Sequence, residues 1–269
     1  MKPACSQAWS LGLLFVAALP VSADPKKLIT TRAGEISIIL SAPHGGREPI
    51  PDVPPRQGAG VTKFATVRDE NTSELAELIA EELEKRLKAK PYLVIARFER
   101  KYLDVNRPEE GALESDKAKP YFRAYHETLE SYTAEVRKKW KRGLLLDIHG
   151  QKEHPDALVR GTDDGKTVEL LLSRYGRSAL TGPKSIFGVF EGTGYKVVPA
   201  NDSTDKEDKR FTGGHIVRTY GSHQDNGIDA IQLEFGSDFR DKTNLSKTAS
   251  VAAEAMDIFC RAYLKDAIK

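Results

Sequence analysis

The sequence has few cysteines, almost no excess of either charge and no long hydrophobic run. Its 269 residues include two cysteines, Cys5 and Cys260, which is too few for a disulfide framework. It carries 41 Lys and Arg against 39 Asp and Glu, and a net charge of +2 gives no general attraction for nucleic acid. Hydrophobic residues make up 39% and charged residues 30%, as in ordinary globular proteins. We therefore expect a folded protein without a nucleic-acid partner.

An apolar segment near the N-terminus is typical of an export signal. Residues 11–19 have the sequence LGLLFVAAL, and the run ends at Pro20. It is too short to span a hydrocarbon core of about 30 Å. Residues 21–23 are small and resemble a signal-peptidase site. We predict a signal peptide over residues 1–23, a periplasmic or secreted location without membrane association after cleavage, and a single catalytic domain over residues 24–269.

Hydrophobic spacing alternates between strand and helix patterns along the rest of the chain. Leu75, Ile79 and Leu83 recur on one face of a helix that Asn71 and Glu74 would begin as a capping pair. The predicted helices cover residues 71–87, 121–140 and 247–264. The predicted strands cover residues 35–40, 92–98, 143–148, 197–198 and 230–235. This alternation predicts an α/β fold with a mixed, mostly parallel sheet flanked by helices.

Three of these strands have polar residues at or near their carboxyl ends: His44, His149 and Glu234. Such ends form the ligand crevice of an open α/β sheet, so these side chains are expected to converge. Two histidines and a carboxylate suit zinc, which in catalytic sites takes three protein ligands and leaves one position for water. One strand-end histidine alone would favour a structural role, whereas two at equivalent ends favour a metal site. Glu234, with apolar neighbours, is either a general base or half of a buried ion pair.

The other polar segments are predicted to be exposed. His126, His154, His215 and His223 lie on a predicted helix or in polar loops, where solvated side chains are expected. His215 and His223 are near the expected rim of the crevice. Residues 201–214 are polar and end in glycine, which predicts a surface loop bordering the site.

A series of short motifs resembles the N-formylglutamate amidohydrolase family, whose members are similar to zinc carboxypeptidases and poly-γ-glutamate hydrolases. The motifs occur in order between about residues 38 and 235. They are SAPHGG (41–46), DENTSELA (69–76), DVNRP (104–108), YH (125–126), LDIHG (146–150), FTGG (211–214) and IQLE (231–234). The resemblance implies a zinc-carboxypeptidase-like, phosphorylase/hydrolase-like fold.

The resemblance also implies that His44 and His149 are zinc ligands. In the poly-γ-glutamate hydrolases the carboxylate ligand precedes a Thr-Ser-Glu-Leu-Ala stretch by three residues, which here is Asp69. Glu48 and Glu70 are nearby carboxylates and stay open as the second and third choices. Asp147 lies two residues before His149 on the same face of its strand and is a candidate to orient that imidazole.

Candidate substrate-binding residues are Asn106, Arg107 and Arg218. The first two resemble the Asn-Arg pair with which zinc carboxypeptidases hold a substrate carboxylate, and a guanidinium matches a carboxylate through two parallel hydrogen bonds. Arg218 follows the glycine turn at residues 213–214 and is equally well interpreted as a surface charge.

These residues predict an exported zinc-dependent amidohydrolase that acts on a small anionic amide. The substrate would be a carboxylate-bearing N-acyl amino acid or peptide, attacked by metal-activated water with Glu234 as general base. The family name suggests N-formylglutamate, but an exported enzyme favours a different amide. A noncatalytic metal- or peptide-binding module with the same fold is the alternative. A serine hydrolase is disfavoured because the sequence contains no Gly-x-Ser-x-Gly motif.

Overall fold

The protein is built around a seven-stranded sheet. This computed structural model describes residues 1, 24–62 and 64–265. The predicted signal peptide lies outside these ranges apart from its first residue, as does Cys5. The strands are β1 (Ile29–Arg32), β2 (Ile38–Ala42), β3 (Tyr92–Ala96), β4 (Leu144–Gly150), β5 (Ala157–Gly161), β6 (Lys196–Val198) and β7 (Asp229–Phe235).

The sheet is mixed and mostly parallel. Its strand order is β1-β3-β2-β4-β7-β5-β6. The parallel pairs are β3–β2, β2–β4, β4–β7 and β5–β6. The β1–β3 and β5–β7 pairs are antiparallel. The predicted α/β sheet is therefore confirmed.

Helices cover both faces of the sheet. They are α1 (Thr72–Leu87), α2 (Glu109–Ala112), α3 (Lys119–Trp140), α4 (Glu169–Tyr175), α5 (Ser178–Thr181), α6 (Ile186–Gly192), α7 (His215–Tyr220) and α8 (Leu245–Tyr263). Within β4, Leu144 and Leu146 pack with α1 and α8, whereas Leu145 packs on the opposite side with α3 and α7. Because successive strand residues face opposite sides, a strand covered on both faces is apolar throughout, which explains the uninterrupted LLL of β4.

Some local predictions differ from the structure. Strands β1 and β5 and the short helices α4 to α6 were not predicted, because each has too few periodic residues to give a pattern. The predicted capping pair at α1 is wrong. Asn71 has a left-handed backbone with φ of 62° and makes no side-chain capping bond. Its amide nitrogen donates instead to the carbonyl oxygen of Arg240 at 2.8 Å.

Two further features bear on the earlier expectations. Cys260 is a free, buried thiol within α8. Across the residues that the structure describes, no helix has both the length and the apolar content required to cross a bilayer.

Candidate active site

Three neighbouring parallel strands bring the predicted site residues to one edge of the sheet. His44 follows the end of β2 by two residues, and His149 is the next-to-last residue of β4. Glu234 in β7 is directly opposite His149 in the strand register. All three side chains are buried. Because β2, β4 and β7 run in the same direction, residues far apart in sequence meet at their carboxyl ends.

Asp69 supplies a carboxylate between the two histidines. Its Oδ2 atom lies 3.4 Å from Nδ1 of His44 and 3.1 Å from Nδ1 of His149. The backbone holds it there, since the Asp69 N–H donates to the His44 carbonyl at 3.0 Å and the Gly150 N–H donates to Oδ2 at 3.1 Å. One potential ligand atom from each of the three residues lies within 4.8 Å of the others.

The two alternative carboxylates do not take this place. Glu48 pairs through its backbone with Phe98 beside the sheet, and its exposed side chain is not among the residues that line the cavity. Glu70 lines the cavity, but its side chain is 60% exposed and lies 3.8 Å from Arg68. Of the three candidates, the structure brings Asp69 to the histidines.

Two further carboxylates hold the other side of each imidazole. Nε2 of His44 lies 2.7 Å from Oδ1 of Asp104, and Nε2 of His149 lies 2.8 Å from Oδ2 of Asp147. Asp147 in turn accepts a hydrogen bond of 2.7 Å from Ser41. An Nε2–H bond to a carboxylate leaves the lone pair of each ring on Nδ1, the nitrogen that faces Asp69.

This arrangement fits a divalent metal. His44 Nδ1 is buried and has no hydrogen-bond partner among the described residues, so its lone pair is available to a metal ion. Two imidazole nitrogens and one carboxylate oxygen form a donor set that suits zinc, and the outer carboxylates complete the usual carboxylate–histidine–metal arrangement. The geometry therefore matches a three-ligand metal site.

Charges inside the cluster act strongly on its titratable groups. Burial raises the pKa of Asp69, but hydrogen bonds with His149 and His44 outweigh burial and hold that pKa well below its ordinary range. Burial also raises the pKa of Asp104, but the charges of His44 and Arg100 lower it by more, so that the pKa of Asp104 lies well below its ordinary value. Burial raises the pKa of Glu234 to about 7, against the lowering effect of His149. Asp69 and Asp104 are thus ionised at neutral pH, while Glu234 can exchange a proton there.

Asp104 and Arg100 are functional candidates that the sequence interpretation did not single out. Arg100 donates from Nε to Oδ2 of Asp104 at 2.9 Å, and its Nη1 atom lies 3.8 Å from Oδ1 of Asp69. Asp104 opens the DVNRP motif, and a carboxylate at that position was the available signal for it.

The candidate substrate residues line one cavity of about 650 Å³ above the cluster. Arg107 lies on its wall, with Nε 3.6 Å from Oδ2 of Asp104. Arg218 lies at the rim, where its side chain is 45% exposed and donates to Thr212 at 3.1 Å. Both arginines therefore border the space in which a substrate would lie.

Asn106 lines the same cavity but is engaged by the protein. Its Oδ1 atom accepts a hydrogen bond of 2.8 Å from the N–H of Ile216 at the start of α7. Gly214 packs directly against this amide, and any Cβ at position 214 would collide with it. Gly214 also ends the loop that was predicted to border the site, and residues 209–214 of that loop line the cavity.

The chain is similar to known proteins in sequence and in fold. Residues 114–239 match the family model described as N-formylglutamate amidohydrolase. The resemblance to this family is therefore confirmed. The matched segment includes His149 and Glu234. No curated protein sequence matches the chain.

Two solved structures share the fold. An N-formylglutamate amidohydrolase from Ralstonia eutropha JMP134 aligns with a TM-score of 0.62 and 15% identity, over 88% of this chain and 98% of that one. A gene product of Agrobacterium tumefaciens aligns with a TM-score of 0.57 and 14% identity, over 87% of this chain and 95% of that one. At these identities the likeness shows the fold. The family match supports an enzyme that hydrolyses an amide bond.

Proposed function

We propose that this protein is a zinc-dependent amidohydrolase that cleaves an amide bond in a carboxylate-bearing N-acyl amino acid or peptide. The observation that carries the proposal is the convergence of His44, Asp69 and His149 on one point beside the buried Glu234. Those three residues would hold the metal. When bound, zinc supplies a Lewis acid that polarises the amide carbonyl and lowers the pKa of water to about 7.

Glu234 is the general base in this proposal. It removes a proton from the attacking water and returns that proton to the leaving nitrogen. The pKa of Glu234, raised to about 7 by burial, suits proton transfer in both directions near neutral pH. Gln232 donates to Oε1 of Glu234 at 2.8 Å, and the Gly214 N–H donates to Oε1 of Gln232 at 2.6 Å. These bonds fix the orientation of the carboxylate.

Arg107 is the first choice for binding the substrate carboxylate, and Arg218 is the second. Arg107 is closer to the metal-binding residues, because it shares Asp104 with His44. A bidentate guanidinium–carboxylate pair would fix the substrate relative to the scissile bond. We assign Asn106 to the same subsite, where it shapes the wall through its bond to Ile216.

We further propose that the enzyme is exported through a signal peptide over residues 1–23 and works as one domain over residues 24–269. In a periplasmic or secreted location, the accessible amides include cell-wall peptides, γ-glutamyl polymers and N-acyl amino acids. Recovery of a protein that begins at Asp24 from outside the cytoplasm would support export. Recovery of the full-length chain from the cytoplasm alone would contradict it.

The function is tested by assaying the purified, zinc-loaded protein on these three classes of amide, with N-formylglutamate included. The wild-type protein should hydrolyse at least one carboxylate-bearing amide. Glu234→Gln should keep stoichiometric zinc and lose about 10²- to 10⁴-fold in kcat, the usual contribution of a general base. The matched control is Glu153→Gln, because Glu153 lines the same cavity but is exposed and paired with Arg210.

The outcomes of these assays distinguish the enzyme from the noncatalytic binding module and test the role of Glu234. If the wild-type protein binds zinc but hydrolyses none of the amides, the noncatalytic binding module replaces the enzyme. Normal turnover by Glu234→Gln would remove the general-base assignment. An equal loss in Glu153→Gln would show that removal of any cavity carboxylate, rather than that of Glu234, lowers the rate.

A further inference from the structure

One buried arginine contacts all three chain segments that carry Asp69, His149 and Glu234. Arg240 lies in a short 3₁₀ turn after β7 and is 4% exposed. Its guanidinium donates to three backbone carbonyls. Nε donates to Phe235 at 3.0 Å, Nη2 donates to Gln151 at 3.1 Å, and Nη1 donates to Glu70.

Each of these carbonyls belongs to a residue next to the site in sequence. Phe235 follows Glu234, Glu70 follows Asp69, and Gln151 comes two residues after His149. The β4–β7 ladder already fixes Glu234 opposite His149, whereas Asp69 lies on a separate segment before α1, which Arg240 joins to both strand ends. A guanidinium has five N–H donors in one rigid plane, and here three of its nitrogens bridge the segments.

The surroundings of Arg240 are shaped to receive it. A Cβ at Gly150 would collide with the guanidinium, so glycine at this position leaves room for the group. Asn71 bonds in the reverse direction, donating to the Arg240 carbonyl at 2.8 Å. This contact accounts for the absence of the predicted cap at α1.

The charge of Arg240 also matches its position. Burial lowers the pKa of its guanidinium, while the nearby carboxylates of Asp69 and Glu234 raise it. Its positive charge therefore offsets part of the repulsion between two buried acidic groups whose backbone segments it joins. Lysine would keep this charge but not the planar set of donors.

We propose that Arg240 is a positioning residue that fixes Asp69 relative to His149 and Glu234. The proposed effect on turnover rests on the proposed function. The effect on the geometry of the cluster does not, because Arg240 bonds to three backbone carbonyls of this chain.

The test compares Arg240→Lys with Arg261→Lys, a matched control on α8 whose side chain is 62% exposed and bonded to Asp257. The first measurement is amide hydrogen exchange in the metal-free protein at Gly150, whose N–H donates to Asp69. Exchange at Gly150 should be at least about tenfold faster in Arg240→Lys, while amides in the centre of β4 keep their wild-type protection. Arg261→Lys should behave as the wild type at both places.

The second measurement is zinc affinity, determined by competition with a chromophoric chelator. Arg240→Lys should bind zinc about 10- to 100-fold more weakly, the usual effect of losing an outer support of a metal site. In the turnover assay its kcat should fall with little change in KM, because all three guanidinium nitrogens of Arg240 are engaged by backbone carbonyls.

Unchanged exchange at Gly150 in Arg240→Lys would overturn the inference, whether or not the protein binds zinc. A loss of protection throughout β4 would also overturn it, because it would show a general structural role. If Arg240→Lys does not fold, Gly150→Ala is the second variant, because its Cβ would collide with the Arg240 guanidinium and displace it. The zinc affinity of Gly150→Ala should also be about 10- to 100-fold weaker than that of the wild type, and an unchanged affinity would overturn the inference. Failure of the proposed function is recognised separately, since the wild-type protein would then show normal exchange but no turnover.

Discussion

Among the residues that the structure describes, two pairs of histidines have neighbouring rings, and one of these pairs has the features of a metal site. The rings of His44 and His149 are 4.8 Å apart at 74°, and those of His126 and His215 are 5.4 Å apart at 67°. Asp69 lies between the rings of the first pair. In the second pair, both nitrogens of His126 are taken by neutral groups, the hydroxyl of Tyr220 and the carbonyl of Val105, each at 2.9 Å.

The carboxylates, rather than the proximity of the rings, make this difference. Burial lowers the pKa of both His149 and His126. At His149 the charge of Asp147 and the bond to Asp69 outweigh burial, and its pKa lies well above the ordinary value. At His126 nothing outweighs burial, so its pKa falls to about 4. The expectation that His126 is solvated was therefore wrong, because the helix packs this side chain against Phe122 and Tyr220.

The largest contrast between the pairs is expected in metal binding. His44→Gln should lower zinc affinity by more than about 100-fold, since loss of an outer partner alone costs about 10- to 100-fold. The matched variant His126→Gln removes an imidazole from the second pair and should keep wild-type affinity. Both are measured by chelator competition. Equal losses in the two variants would contradict the comparison, because the second pair would then also contribute to metal binding.

A smaller effect is expected from the outer carboxylate that orients His44. Asp104→Asn keeps the size of the side chain but weakens its 2.7 Å contact with Nε2 of His44, so zinc affinity should fall by about 10- to 100-fold. Asp229→Asn is the control, because Asp229 is also buried but bonds to Ser222 and the Leu171 N–H rather than to a histidine. Zinc binding by Asp104→Asn as tight as that of Asp229→Asn would show that the ring needs no outer carboxylate.

The sequence was informative where local pattern and fold rules reinforce each other. Apolar strands that end in His44 and His149 predict their convergence, because parallel neighbours in a sheet end at one edge. It was less informative where a role depends on tertiary contacts. Asp104 meets His44 across 60 residues, and Arg240 meets the Glu70 carbonyl across 170. A side chain that bonds to backbone carbonyls requires no particular residue type in its partner, so the role of Arg240 leaves no pattern in the sequence.

The smallest expected effect distinguishes the second histidine pair by its pH dependence. The pKa of His126 is about 4 in the folded protein and about 6.5 in the unfolded chain, so the unfolded chain binds more protons between these values. The stabilisation from neutral His126 is therefore complete above pH 6.5 and is lost as the pH falls toward 4. Between pH 7 and 5.5 the loss in the free energy of unfolding should be about 1 kcal/mol.

The contribution of His126 to the pH dependence of stability is isolated by comparing the wild-type protein with His126→Gln. A chelator removes metal from both proteins so that metal release does not contribute. Urea unfolding at pH 7 and pH 5.5 gives the change in free energy for each protein. Groups distant from His126 titrate in both proteins and cancel in the difference, which therefore reports His126 together with its interaction with His215. The wild-type protein should lose about 1 kcal/mol more than the variant over this range. Equal losses would mean that His126 accepts a proton in the folded state as readily as in the unfolded chain, and the two histidine pairs would then differ in their partners but not in their protonation.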